Sequence, residues 1–133
     1  MADTRTEITL SGAPEGFDAR LLANERARSG RSVIHVARDD RRMEAMRAAL
    51  AFFAPDVPVL AFPAWDCLPY DRMSPNPDVS AARMATLAAL ARGLSGPVVL
   101  LTTLNGATQR VPARAVIGGA SFAAKVGARV DGK

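Results

Sequence analysis

The segment Pro97-Val98-Val99-Leu100-Leu101-Thr102 is the most apolar stretch of the chain, and it decides the predicted fold. A short, β-branched, uninterrupted apolar run predicts a strand that is buried on both faces. Ser32–Ala37 and Val57–Phe62 have the same character, and Ile8–Leu10 predicts a further short strand at the start of the chain. Strands of this kind are typical of parallel sheets covered by helices on both sides.

Helical patterns separate these strands. Phe17 to Ser29 predicts a helix whose apolar face holds Phe17, Leu21 and Leu22 and which stops at Gly30. The next helix is predicted over Arg38 to Phe53, with one apolar stripe made by Met43, Met46, Leu50 and Phe53.

A third long helix begins after Asn76, the predicted N-cap, with Pro77 in its first turn, and runs to about Arg92. Its predicted buried stripe comprises Met84, Leu87, Ala88 and Ala91. A short helix is predicted from Thr103 to Arg110. The remainder, from Val111, is ambiguous, with a possible strand over Ser121–Val126.

Alternating strands and helices predict βαβ units and an α/β fold, a doubly wound parallel-sheet sandwich. The chain has 133 residues, for which one domain is the default expectation. No apolar run approaches the length of a membrane helix, and no signal peptide is recognisable, so we expect a cytoplasmic protein without membrane contact. A single cysteine, Cys67, excludes an internal disulfide.

Basic residues exceed acidic ones by four, and the densest basic region is Arg20 to Arg47. A basic face would suit nucleic acid. However, Glu25, Asp39, Asp40 and Glu44 are interleaved with the arginines at helical spacing. We therefore expect exposed ion pairs on solvated helix faces.

The turn Gly12–Ala19 stands where a phosphate loop would sit in such a fold, between the first strand and the first helix. Gly12 and Gly16 are present, but Phe17, Asp18 and Ala19 stand where Gly-Lys-Thr would be expected, and the acidic side chains of Glu15 and Asp18 would repel a triphosphate. The sequence thus predicts a degenerate nucleotide loop. No catalytic or metal-binding set emerges: His35 is a conceivable general base but more simply an ordinary strand histidine, and no histidine or basic residue lies near Cys67 in sequence to activate its thiol.

The loop after the third strand combines the only Trp, the only Tyr and several prolines. Its pattern is W-[DE]-x-L-P-Y-[DE]-x-x-S-P, followed by the helical motif R-[LM]-x-T-L from Arg83 to Leu87. The motif residues are Trp65, Asp66, Leu68, Pro69, Tyr70, Asp71, Ser74, Pro75, Arg83 and Leu87. A structural plug is expected, with Trp65→Ala costing about 3–5 kcal/mol; contact with DNA or a partner is the alternative.

The two aspartates of this loop also have two readings. Asp66 and Asp71 can be paired as acid and base, but we expect them to bond loop amides or Arg72 and Arg83.

These motifs resemble the N-terminal, UvrB-like region of the bacterial transcription-repair coupling factor, over about Ile8 to Gly127. The resemblance implies a degenerate P-loop NTPase or helicase-like domain over residues 1–119. Residues 120–133 would begin a truncated second small domain, which binds UvrA in the family. A full member is an ATP-dependent double-stranded DNA translocase that displaces stalled RNA polymerase and recruits UvrA.

On this resemblance the chain itself is a non-catalytic scaffold fragment without cofactor, and ATP and magnesium belong to motor domains absent from it. Its contacts with UvrA, RNA polymerase and DNA would run mainly through absent regions, alongside intramolecular contacts with the other domains. The alternative is a stand-alone α/β nucleotide-binding protein or small enzyme that uses the Gly12–Asp18 turn.

Overall fold

The computed structural model describes residues 7–67, 72–121 and 127. Helices and strands alternate through most of this part of the chain. In chain order the elements are α1 (Phe17–Ser29), β1 (Val33–Ala37), α2 (Asp40–Phe53), β2 (Val59–Phe62), α3 (Pro77–Arg92), β3 (Val99–Thr103), α4 (Leu104–Thr108) and α5 (Arg114–Ala120).

The three strands form one parallel sheet in the order β1-β3-β2. The most apolar strand, β3, therefore lies in the centre, with Val99 opposite both Val33 and Val59. Central position explains its composition, because a central parallel strand is buried along both edges and both faces. The predicted mixed α/β fold with a parallel sheet is confirmed.

The core lies between the sheet and the first two helices. Met43, Met46 and Leu50 of α2 pack with Val99 and Leu101 of β3, and all five side chains are buried. Spacings of three and four residues put the α2 side chains on one helix face, as predicted. In α1 the buried residue is Ala19, whereas Phe17 and Leu21 are exposed, contrary to the predicted apolar face.

Both α2 and α3 begin with a side-chain cap, and the cap of α3 at Asn76 is the predicted one. The carboxylate of Asp39 accepts a hydrogen bond from the amide of Arg42 at 2.8 Å, which begins α2 one residue after Asp39. The side chain of Asn76 accepts from the amide of Asp78 at 2.9 Å, and Pro77 follows as the first residue of α3. These caps satisfy amides that the first helical turn leaves without intrahelical partners.

The predicted first strand is wrong. Ile8–Leu10 lies outside the sheet in irregular backbone, and the side chains of Ile8 and Leu10 are exposed. Three residues offer little hydrogen bonding and little buried area to offset the entropy of fixing the chain, so a short apolar run alone does not form a strand. The turn before α1 consequently does not follow a strand of this sheet.

Two predicted apolar stripes also need correction. In α3 the fully buried residues are Arg83 and Thr86, while Met84 is exposed and Leu87 is half-buried. In α2, Phe53 is about half exposed at the helix end. The α3 prediction failed because Arg83 and Thr86 of this helix meet the carbonyl groups at the edge of β2 rather than an apolar sheet face.

The later part of the chain contains two short helices. Helix α4 matches the predicted short helix, and α5 lies in the stretch that the sequence left ambiguous. Of the possible strand Ser121–Val126, residues 122–126 lie outside the described residues. Among the helices that the structure describes, none has the length and apolar character needed to cross a bilayer.

The interleaved charges behave as expected in two places. Arg28 pairs with Glu25 at 2.8 Å and Arg47 with Glu44 at 2.6 Å, both at a spacing of three residues and both largely exposed. Such surface pairs contribute little to stability. Much of the Arg20–Arg47 region therefore forms solvated helix surface.

Candidate functional site

Arg83 is the centre of a compact cluster at the carboxyl end of β2. Only 1% of its surface is exposed. Its guanidinium lies 4.1 Å from the ring centroid of Phe62 and 4.5 Å from that of Trp65, so it is held between two aromatic rings. Burial lowers the pKa of Arg83 from its ordinary value, yet an arginine stays protonated in proteins. The aromatic faces therefore supply much of the stabilisation of a buried cation.

Hydrogen bonds through Nη1 of Arg83 add to this arrangement, while its buried Nε has no hydrogen-bond partner among the described residues. We call the set the Arg83 cluster: Phe62, Pro63, Trp65, Arg83 and Gln109. Arg83 Nη1 donates to the carbonyl oxygen of Pro63 at 2.6 Å and to Gln109 Oε1 at 3.1 Å. The same amide oxygen of Gln109 accepts from the backbone N–H of Trp65 at 2.9 Å. Three chain segments are thereby tied together: the loop after β2, helix α3 and the segment after α4.

A second polar contact joins α3 to the same strand. Thr86 Oγ1 donates to the carbonyl oxygen of Ala61 at 2.6 Å. Because the amide of Val99 bonds the carbonyl of Pro58, alternate residues of β2 point toward β3, and the carbonyls of Ala61 and Pro63 point to the outer edge. Thr86 and Arg83, one helical turn apart, thus cap two carbonyls of an otherwise open sheet edge.

Gly106 permits the close approach of α4 to this end of the sheet. A Cβ atom at this position would lie 2.7 Å from Thr102 Oγ1 and 3.0 Å from the carbonyl oxygen of Phe62. Thr102 Oγ1 donates to the same carbonyl at 2.8 Å, and Thr103 caps α4 by accepting from the amide of Gly106 at 3.1 Å. Any side chain at Gly106 would displace this network.

The remaining motif residues have less prominent positions. Asp66 accepts from the amide of Asn76 at 3.2 Å with both carboxylate oxygens, so it bonds a loop amide as expected. Ser74 is exposed and Pro75 half-buried. Leu68, Pro69, Tyr70 and Asp71 lie outside the described residues, so the proposed pairing of Asp66 with Asp71 stays a prediction.

Sequence reasoning placed Trp65 and Arg83 in one motif but missed their shared partners. Gln109 is 44 residues from Trp65 along the chain, and no local sequence pattern marks it as a hydrogen-bond partner of the motif residues. The sequence identifies Phe62 only as the last residue of the predicted strand Val57–Phe62. Its ring becomes recognisable as a cation partner only when the helix position is known.

The acidic side chains of the Gly12–Asp18 turn are paired with an arginine of α2. Arg42 Nη1 lies 3.4 Å from Glu15 Oε1, and Arg42 Nη2 lies 3.7 Å from Asp18 Oδ2. Gly16 has φ +83°, and a Cβ atom there would lie 3.2 Å from the ring of Phe53. The turn therefore packs against α2 through carboxylates and a glycine, and its charge opposes phosphate binding.

His35 lies beside the same turn. A cavity of about 470 Å³ at the carboxyl end of β1 is lined by His35, Asp18, Arg38 and Arg42, among others. Burial lowers the pKa of the half-buried His35, while the charge of Asp18 opposes this shift and that of Arg42 adds to it. A neutral imidazole is the result at physiological pH.

Within the described part of the chain, no group of three His, Cys, Asp or Glu side chains is placed to hold a metal ion. Cys67 is a half-buried free thiol. A scan of protein families, a search of curated proteins and a search of solved structures found no match to this chain.

Proposed function

We propose that this chain is a non-catalytic scaffold domain of a transcription-coupled DNA repair factor, of the UvrB-like kind that its motifs resemble. The observation that carries the proposal is the Arg83 cluster, because the two most distinctive described motif residues, Trp65 and Arg83, contact each other inside the fold. Residues used in this way fix the position of a helix and a loop. A reactive group, in contrast, would face a cleft.

The proposal also includes a doubly wound fold for this chain. A doubly wound sandwich derived from a P-loop NTPase is favoured by the parallel sheet and by helices that follow each strand. Degeneration of the nucleotide loop is supported by the turn before α1, which follows no strand among the described residues, has no lysine and pairs its acidic side chains with Arg42. A phosphate at this place would compete with Glu15 and Asp18 for the same guanidinium.

On this proposal the catalytic activity lies in other domains of a larger protein. The parent would be an ATP-driven translocase on double-stranded DNA that displaces stalled RNA polymerase and recruits UvrA, in the cytoplasm. This chain would bind no cofactor itself and would serve as a rigid platform for neighbouring domains. Its exposed apolar side chains, such as Phe52 and Leu104, fit a domain that has neighbours.

One observation favours the alternative, a free-standing nucleotide-binding protein. The cavity at the carboxyl end of β1 contains Arg38 and Arg42, and ligands of α/β sheets bind at this end of the strands. However, Arg38 pairs with Asp39 and Arg42 with Glu15 and Asp18, which leaves little positive charge for a phosphate.

Titration with magnesium-ATP tests the proposal. The scaffold account predicts no saturable change in melting temperature for the wild type, and none for Asp18→Asn, in which one repulsive carboxylate is removed. Arg92→Gln, on the last turn of α3, serves as a matched loss of an exposed arginine. A saturable stabilisation of the wild type that disappears in Arg42→Gln but persists in Arg92→Gln would overturn the scaffold assignment in favour of nucleotide binding.

A further inference from the structure

The two outer edges of the sheet are treated differently by the fold. The outer edge of β2 is flanked by Pro58 and Pro63, and its carbonyls are capped by Thr86 and Arg83. Prolines and a covering helix are two ways in which proteins protect a sheet edge from further pairing. Edge β1 has neither within Val33–Ala37, and in the described part of the chain its one strand neighbour is β3.

The free hydrogen-bonding groups of β1 can be identified. The amide of Val33 donates to the carbonyl of Val98 across the sheet at 3.0 Å, so Val33, His35 and Ala37 point toward β3. Alternate residues point the opposite way, which directs the N–H and C=O groups of Ile34 and Val36 to the open edge. Their side chains are 63% and 50% exposed.

We propose that the open edge of β1 pairs antiparallel with β1 of a second copy of this chain, with His35 on the two-fold axis. In this register Ile34 faces Val36 of the other copy, and the N–H and C=O groups of both residues point toward the other copy. Each such pair exchanges two hydrogen bonds, so the symmetric contact forms about four. The result is a continuous six-stranded sheet with one closed, isologous interface.

The charges at the ends of the strand complement one another in this register. Arg31 stands four residues before His35 and Asp39 four residues after it, so the proposed register, continued two residues beyond each end of β1, brings each Arg31 opposite Asp39 of the other copy. Asp39 keeps its capping bond to Arg42 through Oδ1, and its Oδ2 accepts from Arg38 Nε at 3.1 Å in an exposed ion pair that Arg31 of the other copy can join. Opposite charges on facing strands stabilise a pairing, and like charges destabilise it.

Sedimentation equilibrium of the 133-residue chain tests the proposal. The concentration should run from about 10 µM to about 1 mM, because an edge contact of about four hydrogen bonds is weak. We expect the mean mass to rise with concentration toward twice that of the monomer. Val36→Lys places a charge on the edge and should hold the mass at the monomer value. Val116→Lys, at an equally exposed position on α5, should leave the association unchanged.

Two further readouts test the register and keep the proposal falsifiable if a variant is unstable. Hydrogen exchange at the amides of Ile34 and Val36 should slow at least several-fold between the dilute and concentrated samples. Arg31→Glu should weaken the dimer more than Arg20→Glu does. Three results would each overturn the pairing. They are a monomer over the whole concentration range, an open-ended series of larger species, and hydrogen exchange at Ile34 and Val36 whose rate does not depend on concentration.

Discussion

The guanidinium of Arg83 lies 4.5 Å from the ring centroid of Trp65, although the two residues are separated by 18 positions and by the whole proline-rich loop. Their contact fixes α3 against the segment that leaves β2. With Thr86 bonded to Ala61 one turn further along the helix, α3 is anchored to a strand edge by polar groups. The anchoring explains why the buried face of this helix is polar.

Trp65→Ala should destabilise the protein by about 3 kcal/mol, near the lower limit for loss of a large aromatic side chain because Trp65 is only half-buried. The loss combines packing area with the stacking on Arg83. Urea unfolding followed by circular dichroism measures it. Trp65→Phe keeps an aromatic face and should lose less than half as much; a wild-type midpoint in Trp65→Ala would exclude the structural role of this residue.

Thr86→Val should cost about 1–2 kcal/mol, because it removes a hydroxyl of nearly the same shape and leaves the buried carbonyl of Ala61 without its donor. The matched control is Thr108→Val, whose hydroxyl is exposed and bonds within its own helix turn. Equal stability of the two variants would contradict the edge-capping role of Thr86.

Arg83→Lys should destabilise by about 2 kcal/mol, since an ammonium group cannot lie flat between two rings while donating to Pro63 and Gln109. In a double-mutant cycle with Trp65→Ala, the two losses should be less than additive because they remove one shared contact. Strict additivity would show that the stacking contributes nothing.

Gly106→Ala should destabilise by about 2 kcal/mol or more, since the new methyl group would overlap Thr102 Oγ1 and approach the carbonyl of Phe62. Gly118→Ala in α5 provides the opposite case, because nothing lies within 4 Å of the added atom there. In that variant alanine lowers the backbone entropy of the unfolded chain, which should raise the free energy of unfolding by about 0.5–1 kcal/mol. Thermal unfolding of both variants measures the contrast.

His35 should make the protein less stable in mild acid. Its pKa in the folded state is lowered, chiefly by burial, below the ordinary value of about 6.5 that it has in the unfolded chain. Its contribution to stability is complete above that value and declines as the pH falls toward the folded-state pKa, because the unfolded chain binds the proton first. His35→Gln should reduce the loss of unfolding free energy that occurs as the pH falls below about 6.5. An unchanged slope would contradict the shift.

The elements that the sequence predicted well are those whose signals are local. The N-cap at Asn76 and the stop at Gly30 depend on residues within one turn, and the bounds of α1 and α3 follow them closely. The apolar composition of β3 predicts a strand that is buried on both faces, and four of its five residues are buried. The strand order β1-β3-β2 depends on which strands pair, and no short-range pattern encodes that choice.

The failures have a common physical cause. Ile8–Leu10 has an apolar pattern but no strand to pair with among the described residues, and Met84 has an apolar side chain on a helix whose inner face meets carbonyl groups. Burial is decided by what an element packs against. For Arg83, an arginine predicted as a motif residue, only the positions of Phe62, Pro63 and Gln109 explain how a cation is accommodated inside.

The central claim, that this chain is a scaffold domain of a larger repair factor, is tested most directly by the mass of the native polypeptide. Cell extract would be blotted with an antibody raised against the 133-residue chain, whose own mass is 14.0 kDa. The account predicts a band several times heavier, which contains the motor domains. A single band near 14 kDa, with no heavier product, would contradict it.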